Sequence, residues 1–377
     1  MLSLLYRILK VLMAHIAIDA RIINSSTGTY VERLLHYLQQ IDTTNSYTVL
    51  VRAKDKDYWS PNAANFKVKI AEFDNYSFSE QLGFKRFLDK LQPDLVHFCM
   101  PQQPLFYKGK KVTTIHDLTL LRTYNSDKNW LMFHLKQQVG RLVFWVIGRT
   151  NSHLITPSHF TKKDYVTFSG IADTKVSVTY EAADINKGAM QEYPHPYSRY
   201  LLYVGQQSDY KNIPALAHAH QKLLPKYPDL GLILVGNNNA SAQKNQQLFT
   251  QKNYKNITFT GFIPNEQRDW LYTRASAYIF PTRMEGFGLP GLEAMGYGAP
   301  VVSSNATCLP EIYKDAAHYF NPDSVDDMAR AIDEVLSSES LRRTLISNGK
   351  KVHASYSWRR MAEETHAIYI RSLKILE

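Results

Sequence analysis

Short apolar runs alternate along this chain with stretches of helical periodicity, the pattern of repeated βαβ units around a parallel sheet. His15-Ile16-Ala17-Ile18-Asp19 predicts a first strand, Asn24 to Gly28 a loop, and Tyr30 to Gln39 a helix. Further strands are expected at Tyr47–Val51, Lys67–Ile70, Leu95–Phe98, Lys111–Ile115 and Leu154–Ser158, with Ser158 as the N-cap of the next helix. Residues 187–199 hold Pro194 and Pro196 without clear periodicity and predict a linker. A second series opens at Tyr200–Gly205. It continues through Gly231–Gly236, Ile257–Thr260 and Ala277–Pro281, and Val301–Ser303 completes the expected core set. Residues 324–353 and the segment from Trp358 read as helices. The pattern therefore predicts an α/β chain of two domains, at 1–186 and 200–356, with a terminal helix over 357–377.

Composition narrows the class without naming a function. At 377 residues, 44% hydrophobic and 21% charged, the chain is an ordinary globular protein long enough for two cores. Cys99 and Cys308 are the only cysteines and fit neither a disulfide framework nor a zinc pattern, so a reduced, cytoplasmic setting is expected. The net charge of +10 is uneven: residues 1–185 carry 23 Lys/Arg against 16 Asp/Glu, the remainder 21 against 18. A basic first half suits an anionic small molecule or a membrane surface. No nucleic-acid-binding motif accompanies it, and no nucleic-acid partner is expected. Met1 to Met13 is apolar but interrupted by Arg7 and Lys10. It is either a short amphipathic helix lying on a membrane or an extension upstream of a start at Met13.

The chemistry concentrates in Pro281-Thr282-Arg283-Met284-Glu285-Gly286-Phe287-Gly288-Leu289-Pro290-Gly291-Leu292-Glu293. A strand runs into it and a helix out of it. Pro290 suits a first helical turn, and the glycines leave backbone N–H groups open at a helix N-terminus, which favours an anion. Glu285 leaves the strand and Glu293 enters the helix, so both can face the crevice at the carboxyl end of a parallel sheet. Carboxylates beside an anion site make sense as acceptors for sugar or ribose hydroxyls. They do not straddle a glycosidic bond as a hydrolase pair does. The first strand lacks G-x-G-x-x-G, which argues against a nicotinamide dehydrogenase.

This run, with Ala294-Met295-Gly296-Tyr297-Gly298-Ala299-Pro300-Val301-Val302 after it, resembles the retaining nucleotide-sugar glycosyltransferases of family 4. Their signature is two glutamates separated by seven residues around a Gly-Phe-Gly-Leu-Pro turn, and Glu285 and Glu293 match it in register. The resemblance implies the GT-B fold: two Rossmann-like domains facing a central cleft, with the C-terminal helix crossing back to the first domain. By the same resemblance Glu293 binds the ribose hydroxyls, and Glu285 contacts the transferred sugar near its anomeric carbon. Gly286, Phe287, Gly288 and Leu289 would shape the donor turn. Lys211-Asn212, in the loop after Gly205-Gln206, would hold the donor phosphates. Family members usually carry an arginine in that loop; here it reads Gln206-Gln207-Ser208-Asp209-Tyr210. Arg283 or a first-domain residue is then the expected substitute.

Gly236 ends the next strand of the donor set, and Gly261-Phe262-Ile263-Pro264 resembles the segment whose backbone meets the nucleobase, with Phe262 and Ile263 at its centre. His116, at a strand end, matches a family histidine that makes polar contact with the sugar. Asp117 either braces that ring or caps the following segment. Gly28-Thr29-Tyr30 is what remains of a glycine-rich loop that approaches diphosphate and acceptor; a glycine needed only for the turn is the other reading.

The implied activity is transfer of a hexose-type sugar from a UDP- or GDP-linked donor to a glycan or lipid-linked acceptor, with retention and without cofactor or obligatory metal. The second domain has no D-x-D-type cation site, in keeping with that. Peripheral contact with the inner membrane face is the expected partner interaction of the basic first half. Two alternatives stay open: another GT-B activity, such as sugar-nucleotide epimerisation, and a catalytically weak sugar-nucleotide-binding protein.

Overall fold

Strands buried on both faces need near-continuous apolar runs, and several strands of this chain have them. Ile16, Ala17 and Ile18 are fully buried, as are Leu232, Ile233, Leu234, Ala277, Tyr278 and Ile279. The computed structural model describes residues 13–25, 27–75, 77–123, 130–186 and 188–374. All of the Met1–Met13 segment except Met13 lies outside them. The strands are β1 (His15–Asp19), β2 (Ser46–Val51), β3 (Phe66–Ile70), β4 (Leu95–Phe98), β5 (Lys111–Thr114), β6 (His153–Thr156), β7 (Val176–Val178), β8 (Arg199–Val204), β9 (Leu230–Val235), β10 (Ile257–Gly261), β11 (Ala277–Phe280), β12 (Val301–Ser304) and β13 (Ala317–Phe320). The helices of eight or more residues are α1 (Gly28–Ile41), α2 (Trp130–Thr150), α3 (His159–Ser169), α4 (Ile213–Leu223), α5 (Ala240–Gln251), α6 (Asn265–Arg274), α7 (Leu289–Tyr297), α8 (Val325–Ser337), α9 (Glu339–Ser355) and α10 (Trp358–Lys374).

The described chain divides into two units. Unit 1 comprises Met1–Leu118, Gln138–Glu181 and Ser357–Glu377; unit 2 comprises Thr119–Gln137 and Ala182–Tyr356. Unit 1 holds a seven-stranded sheet in the order β3-β2-β1-β4-β5-β6-β7. Every pairing in it is parallel. Its order reverses between β1 and β4, which makes that pair the switch point of the sheet. The terminal helix α10 belongs to this unit. Its His366 reaches Asp42 at 2.9 Å and its Tyr369 reaches His97 at 2.5 Å. Unit 2 holds a six-stranded parallel sheet, β10-β9-β8-β11-β12-β13, whose switch point lies between β8 and β11.

Local chemistry sets the helix starts. Ser158 accepts from the amide of Thr161 at 3.1 Å, as its N-cap position predicts. Ser324 does the same for α8 and Ser338 for α9. Four elements differ from the sequence reading. The second sheet does not end at β12, because Ala317–Phe320 adds an edge strand. Strand β7 and the long helix α2 went unread: β7 has three residues, and α2 is apolar on both faces. Gly28 is not a loop residue but the first residue of α1. A Cβ there would sit 1.8 Å from the carbonyl oxygen of Ile23, so only glycine lets the loop turn this closely onto the helix.

Candidate active site

In unit 2 the signature run stands at the switch point. β8 delivers the loop Gly205 to Asn212, and neighbouring β11 delivers Pro281 to Gly288. The two loops are laced together by backbone and side chain. Arg283 N donates to Tyr210 O at 2.8 Å. Asn212, left-handed at φ 63°, ψ 31°, donates through Nδ2 to the carbonyls of Pro281 (3.2 Å) and Pro322 (2.8 Å). Lys211, which the sequence placed at the opening of a helix, instead ends a single 3-10 turn; α4 begins two residues later.

That lacing brings Lys211 Nζ onto Glu285 Oε1 as an ion pair, each side chain 14% exposed. The ammonium also lies over the rings of Tyr210 (5.1 Å) and Phe280 (5.5 Å). Burial opposes its charge, but Glu285, with Tyr210 and Tyr203, outweighs burial and holds its pKa above the usual lysine range. Lys211 is therefore a cation at neutral pH, already provided with a counter-ion.

The turn after Glu285 ends at Gly288, which N-caps α7 with a φ of 95°. A Cβ there would meet Tyr313 Oη at 2.5 Å, and Tyr313 in turn donates to the Gly288 carbonyl. Gly286 and Phe287 are buried, and Leu289 is half-buried. Glu293, one turn into α7, accepts from Tyr272 Oη at 3.1 Å. Burial pushes the Glu293 carboxyl above its usual pKa, against the pull of Arg268 and Tyr272. Gly205 and Gly236 follow adjacent strands β8 and β9. Gln206 is exposed, whereas Gln207 is buried and accepts from Asn245 at 3.1 Å. After β10, Phe262 is 82% exposed and Ile263 is buried. Arg283, the expected substitute for the arginine missing beside Lys211, holds its guanidinium at the surface 2.8 Å from Asp323.

In unit 1, His116 follows β5 on the carboxyl edge of the sheet. Its Nδ1 lies 3.1 Å from Glu181 Oε1, and its Nε2 lies 3.0 Å from the carbonyl oxygen of Cys99. Tyr30 packs edge-on to the ring at 4.8 Å. Both partners are acceptors, so the ring satisfies both only as an imidazolium. Burial opposes that charge, but Glu181 outweighs it and raises the His116 pKa. The neighbouring His97 is pushed the other way, down to about 3, by burial and then by His116. Glu181 braces the ring through that contact, and Asp117 adds a smaller pull in the same direction. The sequence reading missed Glu181 because it missed β7; the available signal was a carboxylate just after Val176–Val178. It also missed a buried cluster at the end of β1. There Arg21 pairs with Asp19 (2.8 Å) and Glu80 (2.9 Å), donates to Phe73 O (2.9 Å), and stacks on Phe84.

Known proteins show the same two halves. Residues 27–187 match the family model described as Glycosyltransferase Family 4, and residues 190–352 match Glycosyl transferases group 1. The O-antigen chain mannosyltransferase B of Escherichia coli is 30% identical over 272 residues, covering 69% of this chain and 70% of that protein. The chain belongs to glycosyltransferase family 4. As a family-4 glycosyltransferase it is an enzyme of the glycosyl-transfer class, and its two parallel-sheet units are those of the GT-B fold. Sucrose-phosphate synthase from Thermosynechococcus elongatus superposes with a TM-score of 0.75 at 19% identity, over 97% of this chain and 100% of that one. Anabaena HepE, solved in complex with UDP and glucose, superposes with a TM-score of 0.70 at 15% identity, over 95% and 99%. Among the described residues of this glycosyltransferase, no helix is long and apolar enough to cross a membrane.

Proposed function

We propose that this glycosyltransferase moves a hexose from a nucleotide diphosphate sugar to a glycan or lipid-linked acceptor in surface polysaccharide assembly, retaining the anomeric configuration and needing no metal. The observation that carries the reading is the Lys211–Glu285 pair at the β8/β11 switch point, a cation and a carboxylate that a diphosphate sugar would separate and use. Mannose is the first candidate sugar, because the Escherichia coli relative is named a mannosyltransferase. That HepE was solved in complex with UDP and glucose supports a nucleotide-linked donor.

In this reading Lys211 and the N-terminus of α7 hold the diphosphate, and Glu293 takes the ribose hydroxyls. Gly205, Gln206, Asn212 and Gly236 frame the phosphates, and the backbone at Phe262–Ile263 meets the base. The bond from the anomeric carbon to the diphosphate oxygen breaks, its electrons leaving with the phosphate. The acceptor hydroxyl oxygen bonds to that carbon from the same face and passes its proton to the departing phosphate. Glu285, released from Lys211, stabilises the positive charge that develops on the sugar. His116 donates a hydrogen bond to the sugar. The acceptor is drawn to the inner membrane face, where the basic first half of the chain makes peripheral contact.

The test is incubation with UDP-, GDP- and ADP-sugars, GDP-mannose included, with nucleoside diphosphate release followed beside Glu285→Ala. Release from one donor, lost in the variant, supports the reading. Silence across the panel, without thermal stabilisation by any nucleotide, sinks it. A binding-only protein is the second reading, since the loop Gln206–Tyr210 before Lys211 carries no arginine. Stabilisation by a nucleotide without release, even with acceptor glycans present, would select it.

A further inference from the structure

Thr307 carries a side chain on a backbone that suits glycine. Its φ is 56°, in the left-handed region where a Cβ crowds the following carbonyl oxygen. Among the described residues, the other non-glycine positions with positive φ are Gln92, Asn212, Asn253, Asn256 and Lys314, so Thr307 is the only β-branched one. Asparagine enters that region readily, whereas a β-branched residue there is a genuine outlier. Such outliers persist where the surrounding structure fixes them, and they gather at functional sites. The backbone alone would favour glycine, so the reason for a threonine lies in its side chain.

That side chain reaches Glu285. Thr307 stands in the loop after β12, and Glu285 in the loop after the neighbouring strand β11. Glu285 N donates to Thr307 Oγ1 at 3.3 Å, and Cys308 donates through Sγ to Glu285 O at 3.4 Å. Burial pushes the Cys308 thiol well above its usual pKa, so it keeps the proton it donates. Nearer the strand ends, Ser304 Oγ donates to Thr282 O at 2.6 Å and ties the same two loops together. The Glu285 backbone is thus held from the β12 side, while its carboxylate is held from the β8 side by Lys211.

We propose that Thr307 is a positioning residue for glycosyl transfer, its hydroxyl holding the Glu285 backbone in place when the donor diphosphate takes Lys211 away from the carboxylate. The inference rests on the role proposed for Glu285. In that role the carboxylate has to face the anomeric carbon after its cation has turned to the phosphates. A loop without a second grip would let Glu285 follow the lysine or swing into water. The contacts from Thr307 and Cys308 go to backbone atoms, so a change of partner at the carboxylate leaves them intact.

The test compares Thr307→Val, Thr307→Gly and Thr307→Ser in the full chain. Two readouts are taken: nucleoside diphosphate release from the donor panel, and hydrogen exchange of the Glu285 amide by mass spectrometry. Thr307→Val keeps the shape and loses the hydroxyl; kcat should fall roughly three- to ten-fold, with donor KM within about two-fold of wild type. Its Glu285 amide should exchange roughly five-fold faster. Thr307→Ser should restore most of both. Thr307→Gly relaxes the backbone, so its Tm should stand above that of Thr307→Val while its kcat falls as far. A residue needed only for the fold would instead tie activity to Tm. Wild-type kcat in Thr307→Val or Thr307→Gly, an equal loss in Thr307→Ser, or a Glu285 amide whose exchange Thr307→Val leaves unchanged would each overturn the inference. If wild type releases nothing from any donor, the transferase reading fails by itself, and the exchange rates still decide whether Thr307 holds Glu285.

Discussion

Replacing Glu181 with glutamine keeps the shape beside His116 and removes the charge. The contact is a charge-assisted hydrogen bond of 3.1 Å between side chains only 12% and 6% exposed, so water does little to screen it. Such a bond is worth about 1.5–3 kcal/mol. If the His116 ring turns Nε2 from the Cys99 carbonyl to a sugar oxygen, it stays a donor at both nitrogens only while protonated and held by Glu181. Losing that hold should lower kcat/KM roughly 10- to 100-fold. The pH dependence separates this from a merely structural effect. Glu181 raises the His116 pKa, so activity that needs the cation fails as pH rises through that raised value, and in Glu181→Gln it should fail at lower pH. Stability follows the same sign. The raised folded pKa gives His116 a contribution that is full below its unfolded pKa and lost as pH rises through the folded one. The Tm gap between wild type and variant should therefore be widest in acid and close as pH rises. Initial rates of nucleoside diphosphate release and thermal melts across the pH range measure both. A superimposable pH–rate profile, with only a pH-independent loss of Tm, would refute the reasoning and leave Glu181 a packing residue.

Other consequences follow from the geometry. Lys211→Ala and Glu285→Ala should each cost about 10²–10³ in kcat, and each leaves a partly buried charge alone. The double variant should regain roughly 0.5–3 kcal/mol of stability relative to additivity but no activity, by denaturant titration and initial rates. Glu293→Gln should raise KM for the donor more than it lowers kcat, since the proposed contact is with ribose rather than the reacting centre; an unchanged KM would count against that assignment. Gly28→Ala drives a Cβ against the Ile23 carbonyl and should cost about 1–3 kcal/mol, read as a lower Tm by calorimetry. Arg21→Met leaves Asp19 and Glu80 buried without their cation and should cost about 3–5 kcal/mol, with Arg21→Met/Asp19→Asn/Glu80→Gln recovering part of it.

The parts of this protein legible in its sequence are those where one local signal decides the structure. Parallel strands buried on both faces announce themselves as apolar runs, and nearly all were read. The short β7 was not. Nor was the edge strand β13, which has no apolar run: its middle residues, His318 and Tyr319, are only half-buried. The Glu285-to-Glu293 run was legible because strand, glycine turn, Pro290 and helix are consecutive in the chain. Side-chain partnerships were not. Lys211 and Glu285 are brought together because β8 and β11, far apart in sequence, are neighbours at the switch point. His116 meets Glu181 because β5 and β7 deliver both to one edge of unit 1. A motif can name the residues that arrive at such an edge. Which carboxylate meets which cation is decided by strand order, and strand order is a property of the whole sheet. That is why Glu285 was read as a sugar contact without its lysine, and His116 as a lone ring without the carboxylate that keeps it charged.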